Sequence, residues 1–224
     1  YIADCINKDI EVLAPDVNES NYNFTAVDED TIRFGLSSIK GVGDTALEEI
    51  IENQPFDGLT DLYNSVNRRR VNKTVFEALI KSGCFDKINE NRNKLLDDYQ
   101  QLRDTGTINK TLFGNSISTD KQETIDMEKE LLNMSVTYMS DFIKTKPGEK
   151  AIIEGKIDSM FETRTKNNDL MAFVNVATNF EDVEIVVFPD IYADNHHILD
   201  KDVPVKVLGK KDGGKLIAKK IEEM

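Results

Sequence analysis

Gly41 and Gly43 stand in the run Ile39-Lys40-Gly41-Val42-Gly43, between two apolar stripes at helical spacing. Leu36 and Ile39 precede the glycines, and Leu47, Ile50 and Ile51 follow them. The pattern is a helix-hairpin-helix signature. Its glycines permit a tight turn and leave amides uncovered at the start of the next helix. That end is partly positive and can hold a phosphate without sequence preference. Lys40, Gly41, Val42 and Gly43 are therefore candidate contacts to a nucleic-acid backbone. Asp44, Glu48 and Glu49 surround the turn with negative charge, so a plain αα-turn that only packs the domain is the alternative. Arg68, Arg69, Arg70 and Lys73 form the basic cluster of this half. They can touch a backbone, or equally start a solvated helix beside nearby acids.

A second set of candidates lies near the carboxyl end. Arg164 and Lys166 fall in an expected loop at 163–169, and Lys210 and Lys211 in another at 209–214. Phe173 is out of phase with the apolar Val174 and Val176. That places it on the outer face of its strand, where it can stack a base. Trp is absent and aromatics are few, so a scaffold that contacts protein or nothing is the alternative. Between the two halves, Thr111-Leu112-Phe113 forms an apolar island in a small, polar stretch. An exposed Leu-Phe pair in a linker can fill a partner's pocket, or it can pack back on its own helices.

Enzyme chemistry finds little footing. No phosphate-binding Walker loop, nucleophile elbow or metal cluster occurs. Cys5 and Cys84 form no CxxC pair, and His196 and His197 are adjacent and make a poor chelate. No disulfide, zinc site or other cofactor is expected, and the two thiols suit a reducing cytoplasm. No apolar run approaches the roughly 18–20 residues of a membrane helix, so no membrane partner is expected. The chain has 224 residues, 39% hydrophobic and 31% charged, as in a folded soluble chain. Its net charge of −13 opposes phosphate binding over the whole surface, because such binding works by cations displacing counterions. Any nucleic-acid contact is expected to be local and weak in isolation, or to be supplied mainly by parts outside this sequence.

The elements that must position these residues follow from periodicity. Ile10–Leu13 reads as a short strand, and 24–27 with 31–34 as a small hairpin across Asp28-Glu29-Asp30. Residues 35–103 carry helical stripes at Leu36–Ile51, Leu59–Val66, Val71–Lys81 and Asn91–Arg103, with Gly83 closing the third. Helix resumes from Asp126 to Leu132. From Lys150 onward the period becomes that of strands: 151–160, 170–177, 183–188, 203–208 and 215–221, with a helix at 189–199 after the third. Five strands with that helix are the pattern of an OB barrel. The expected fold class is thus α+β and multidomain: a helical helix-hairpin-helix domain with a small N-terminal β element, then a five-stranded OB-fold barrel.

Several segments, in order, carry a resemblance. They are Tyr1-Ile2-Ala3-Asp4-Cys5, Ile10-Glu11-Val12-Leu13-Ala14-Pro15-Asp16-Val17-Asn18, and Ile32-Arg33-Phe34-Gly35-Leu36 running into the glycine turn. Val71-Asn72-Lys73, the run from Glu77 to Asp86, Met127-Glu128-Lys129-Glu130-Leu131-Leu132, Met171-Ala172-Phe173-Val174 and Ile185-Val186-Val187-Phe188-Pro189 continue it. This succession resembles the stretch after the polymerase core in the alpha subunits of bacterial DNA polymerase III, the C-family replicative polymerases. The resemblance implies four parts. Residues 1–34 end the fingers region and hold the small β element. Residues 35–104 form a tandem helix-hairpin-helix domain, 105–148 a flexible clamp-binding segment with a connecting helix, and 149–224 the OB domain. It implies a cytoplasmic protein whose partners are DNA, the sliding clamp and other replisome proteins.

The family's clamp motif is Gln-x-x-Leu/Met-Phe. Asn109-Lys110-Thr111-Leu112-Phe113 matches it in place and in both apolar anchors, making Asn109, Leu112 and Phe113 the expected clamp contacts. Asn replaces Gln at the first position. After Leu132 the family's Gly-His-Pro run is also replaced, here by Tyr138-Met139-Ser140. The family's palm, with its Mg2+ and DNA-directed DNA polymerase (nucleotidyltransferase) activity, is expected to precede Tyr1. No catalytic residue is therefore expected within the chain.

Overall fold

The computed structural model describes all residues except Tyr1, Asp9 and 109–117. The described chain divides into two compact units: Glu11–Thr137, and Tyr1–Ile10 together with Tyr138–Met224. Helix α1 (Ile2–Asn7) therefore belongs with the second unit.

The first unit opens with three short strands, β1 (Glu11–Leu13), β2 (Thr25–Ala26) and β3 (Thr31–Arg33). Their order is β1-β3-β2, with β1 parallel and β2 antiparallel to β3. The expected hairpin across Asp28-Glu29-Asp30 is thus the β2–β3 pair, widened by β1. A 3-10 turn at Leu36–Ser38 leads into helices α2 (Asp44–Asn53), α3 (Leu59–Ser65), α4 (Lys73–Lys81), α5 (Arg92–Thr105) and α6 (Lys121–Leu132). Side chains fix several starts. Asn72 accepts from the Val75 amide and Asn91 from the Lys94 amide, each satisfying a first-turn donor. Asp120 and Glu123 form a reciprocal capping box. This starts α6 at Lys121, five residues before the apolar stripe that marks it in the sequence. The core comprises Leu36, Ile39, Leu47, Ile50, Leu62, Val71, Phe76, Leu79, Ile80 and Phe85, all essentially without exposure.

One charged cluster is buried in this core. Arg92 donates to Asp86 at 3.0 and 2.6 Å, to Glu128 at 2.7 Å and to the Lys81 carbonyl at 2.8 Å. Glu128 also accepts from the Ser135 hydroxyl, from the Val136 and Thr137 amides and from the Thr137 hydroxyl. The salt bridge clamps α5 to α6, while the amide bonds fold the segment after α6 back onto it. A buried charge survives only when paired and hydrogen-bonded, and here both conditions hold.

The second unit contains helix α7 (Asp141–Lys144) and strands β4 (Lys150–Arg164), β5 (Leu170–Ala177) and β6 (Asp182–Val187). Helix α8 (Pro189–Asn195) then precedes β7 (Pro204–Asp212) and β8 (Lys215–Glu223). The barrel order is β4-β5-β6-β8-β7, and β7 pairs with β4 to close it. Only β6–β8 is parallel. Alternate residues face a core that includes Ile153, Val174, Ile185, Val207 and Leu216, as the period of 2 requires.

Three strands outrun their sequence limits, β8 by only two residues, to Glu223. β4 extends to Arg164 because one long strand serves two partners, bending at an irregularity between Ile157 and Ser159. The alternation breaks at that bend. β7 extends to Asp212, past a second irregularity at Leu208/Gly209. A Cβ on Gly209 would meet the Ile217 carbonyl oxygen at 2.3 Å, so only glycine lets the strands approach there.

Candidate nucleic-acid interface

The first hairpin joins the 3-10 turn to α2. Gly41 has φ +87°, the left-handed region that favours glycine, and its missing Cβ would lie 3.3 Å from Thr74 Cγ2. Val42 is buried and anchors the loop, while Lys40 is exposed. Gly43 is the N-cap of α2, with no side-chain cap bond. The amides of Gly43, Asp44 and Thr45 therefore face outward, with no backbone acceptor among the described residues. Asp44 sits in the first turn and takes a hydrogen bond from Tyr22. The expected negative surround is real, and it lies on the same turn as the free amides.

A second hairpin, 66–72, joins α3 to α4. It carries Arg68, Arg69 and Arg70 as exposed residues between the buried Val66 and Val71. The two hairpins are neighbours. The Asn67 amide donates to Glu49 of α2 at 2.8 Å, and Arg70 pairs with Glu49 at 3.4 Å. Lys73 pairs with Glu77 at 3.4 Å. Among the described residues Arg68 and Arg69 have no acidic partner. Sequence alone reads these arginines as a basic lead into a helix. The structure makes them a hairpin loop that turns without glycine, closed by apolar Val66 and Val71 and by the Asn72 cap.

On the barrel, Phe173 lies on the outer face of β5, half-buried. It stands opposite Phe161 of β4 and Val186 of β6. Phe161 is 67% exposed, the largest value among the exposed large apolar residues. Sequence reasoning misses it because alternation ends that strand at Met160. The signal is the aromatic itself, one pleat past that limit. Lys215 Nζ lies 5.6 Å from the Phe173 ring centroid. Arg164 donates to the Asn168 carbonyl at 2.7 Å and so shapes the β4–β5 loop, where Lys166 is exposed.

Lys210 and Lys211 require correction. Both lie within β7 and not in a loop. Lys210 is exposed, but Lys211 is 1% exposed. Its ammonium donates to the carbonyls of Phe142, Ile143 and Thr145 at 2.7–2.8 Å. Burial holds its pKa below the usual lysine value, with Glu181 opposing that shift. Lys211 thus caps the end of α7 and fastens it to the barrel, so it offers nothing to a ligand.

Asn109, Leu112 and Phe113 lie outside the described residues. Among the described residues no three His, Cys, Asp or Glu are grouped to hold a metal ion. No described helix is long and apolar enough to cross a membrane. His196 and His197 sit side by side in a 3-10 turn after α8, and Cys84 is buried, its thiol pushed up to about 12 by desolvation.

Residues 9–95 match the family model described as a helix-hairpin-helix motif. The DNA polymerase III alpha subunit of Aquifex aeolicus is 31% identical over 90% of this chain, which spans 19% of that protein. The alpha subunit of Deinococcus radiodurans is 28% identical over 96% of the chain and 20% of its own length. That of Neisseria meningitidis is 42% identical over 43% of the chain and 9% of its own length. Among solved structures, a mitochondrial single-stranded DNA binding protein of S. cerevisiae covers 34% of this chain and 94% of its own. It is 20% identical, with a TM-score of 0.31. With paired hairpins, a five-stranded barrel of OB topology and alpha-subunit similarity over nine-tenths of its length, the chain belongs to the bacterial DNA polymerase III alpha subunit family, spanning about a fifth of the relatives it matches.

Proposed function

We propose that this chain is the nucleic-acid-handling part of a replicative DNA polymerase, with the hairpin unit on the DNA backbone and the barrel on single-stranded template. The observation that carries the reading is the pair of neighbouring hairpins. One offers uncovered helix-start amides, the other Arg68 and Arg69 without acidic partners, in a chain of net charge −13. Acids elsewhere confine the contact to this strip. The barrel's part rests on Phe161 and Phe173 side by side, with Lys215 over the second ring and Lys166 in the adjoining loop. Such a platform stacks bases irrespective of sequence. The reading includes tethering to the sliding clamp through Asn109, Leu112 and Phe113, and a place among other replisome proteins.

The test is binding of a labelled primer–template across a range of salt. Affinity that falls steeply with salt, and weakens when Arg68 and Arg69 become Gln, supports the backbone contact. Binding absent at every salt concentration, with protein partners retained, would instead favour an acidic protein-interaction module. For the tether, replacing Leu112 and Phe113 by Ala should abolish clamp capture in a pull-down. Undiminished capture would sink that part.

A further inference from the structure

Three aromatic rings lie together between α3, α4 and α5. The Tyr63 and Phe76 centroids are 5.8 Å apart, those of Tyr63 and Tyr99 6.3 Å, and those of Phe76 and Tyr99 4.7 Å in a stacked pair. All three residues are buried. Two guanidinium groups cover them. The Arg68 group lies 4.9 Å from the Tyr63 centroid and donates to the Tyr63 hydroxyl at 2.9 Å. The Arg103 group, from the last turn of α5, lies 5.9 Å from the Tyr99 centroid. With Asn72 and Lys73 they line a concave site of about 360 Å³.

The charges in this site are unusual for the chain. Arg33, Arg70 and Arg92 are each paired with a carboxylate. Arg68 and Arg103 have no such partner among the described residues. Glu77 is the nearby acid, and it is held by Lys73 at 3.4 Å. The ring faces are too buried to stack a base, so they act as a floor. A guanidinium resting on an aromatic face is attracted to it. Holding the plane in place also reduces the side-chain entropy lost on binding. Both groups line the same concave site, with one nitrogen of Arg68 engaged by the Tyr63 hydroxyl and one of Arg103 donating to Gln100 Oε1 at 3.4 Å. Planar forks of donors suit an anion with several acceptor oxygens.

We infer that Arg68 and Arg103 form a seat for one backbone phosphate of DNA, with the Glu77-paired Lys73 at its edge, making α5 a third contact element beside the two hairpins. This rests on the reading that the hairpin unit contacts DNA. A nucleic-acid source is favoured over an acidic peptide because Arg68 shares its loop with Arg69 and Arg70, next to the uncovered amides of α2. Neither the glycine motif nor the arginine run points to Arg103, which lies 33 residues beyond Arg70 in sequence.

The test measures duplex DNA affinity of the whole chain, wild type and variants, over a range of salt. Each phosphate contact contributes about 0.9 to the slope of log affinity against log salt. Arg103→Gln should make the slope shallower by about 0.9. Arg68→Gln should do the same, and the double variant should lose no more slope than either one, because one phosphate is shared. Arg103→Lys should restore the slope with weaker binding. Circular dichroism and the thermal midpoint confirm that each variant folds. An unchanged slope in folded Arg103→Gln, with a reduced slope in Arg69→Gln, would overturn the seat and leave the hairpin reading standing. Absence of salt-dependent binding by the wild type would overturn both. Arg103-dependent binding of an acidic peptide, with DNA binding unaffected, would overturn the nucleic-acid source.

Discussion

Replacing Glu128 by Gln removes one charge and almost no volume. The side chain is wholly buried. Its Oε1 accepts from Arg92 and the Thr137 hydroxyl, and its Oε2 from the Ser135 hydroxyl and the Val136 and Thr137 amides. An amide has one acceptor oxygen and one donor group. Whichever way the new side-chain amide turned, its NH2 would face at least two donors, and Arg92 would lose a carboxylate. Breaking a buried pair by removing one partner costs about 3–5 kcal/mol, against a typical total of about 5–15 kcal/mol. With a urea dependence of about 1–3 kcal/mol per molar, the midpoint should fall by roughly 2 M. Far-UV circular dichroism at the helical minimum follows the helical unit, since the barrel adds little there. A loss under about 1 kcal/mol, the size of one neutral hydrogen bond, would refute the reasoning.

The same carboxylate makes a pH prediction. Burial works to raise its pKa, but Arg92 and the Thr137 hydrogen bonds outweigh burial and hold it below the usual 4.5. A carboxylate so held adds stability above its unfolded value and loses it as pH falls through the lowered one. The wild type should therefore destabilise as pH drops below about 4.5, and Glu128→Gln should follow a flatter curve there. Asp86, where burial outweighs the same Arg92, is shifted up and acts in the opposite sense. Because Asp86 is partly exposed and Glu128 is not, the Glu128 effect should dominate.

Other outcomes follow from the site. Lys211→Met leaves three carbonyls without their shared donor. At about 1–3 kcal/mol for an unsatisfied buried group, the barrel's thermal midpoint should fall by several degrees, and an unchanged midpoint would show that the cap contributes nothing. Gly41→Val forces a β-branched residue to positive φ beside Thr74, which should cost the helical unit about 1–2 kcal/mol; an unchanged urea midpoint contradicts the strain. Phe161→Ala should leave stability within about 0.5 kcal/mol, because the ring is mostly exposed. It should weaken single-stranded DNA binding by about 1–3 kcal/mol in a fluorescence titration; undiminished binding removes the barrel face from the reading.

Much of the architecture was legible because it follows local periodicity. The Leu36–Ile51 stripe broken by Gly41 and Gly43 gives the first hairpin, and five alternating runs with a helix after the third give the barrel. The second hairpin was obscured because it turns without glycine, so its arginines read as a basic helix start. Phe161 was hidden by a strand bend that breaks the alternation used to find strand ends. The early start of α6 was written in Asp120 and Glu123, but as a cap and not as an apolar stripe.

The sequence by itself determined the element types, the glycine turn, the order of family-like segments and the acidity that confines any phosphate contact to a small area. These depend on residues near one another in the chain. Only the tertiary structure decided which cations are available. Lys211 looks like a loop lysine in sequence and is spent on the end of α7. Arg70 is held by Glu49, whereas Arg68 and Arg103 lie over buried tyrosines with no carboxylate partner among the described residues. A charge is free or engaged according to what packs against it, and those neighbours come from distant parts of the chain.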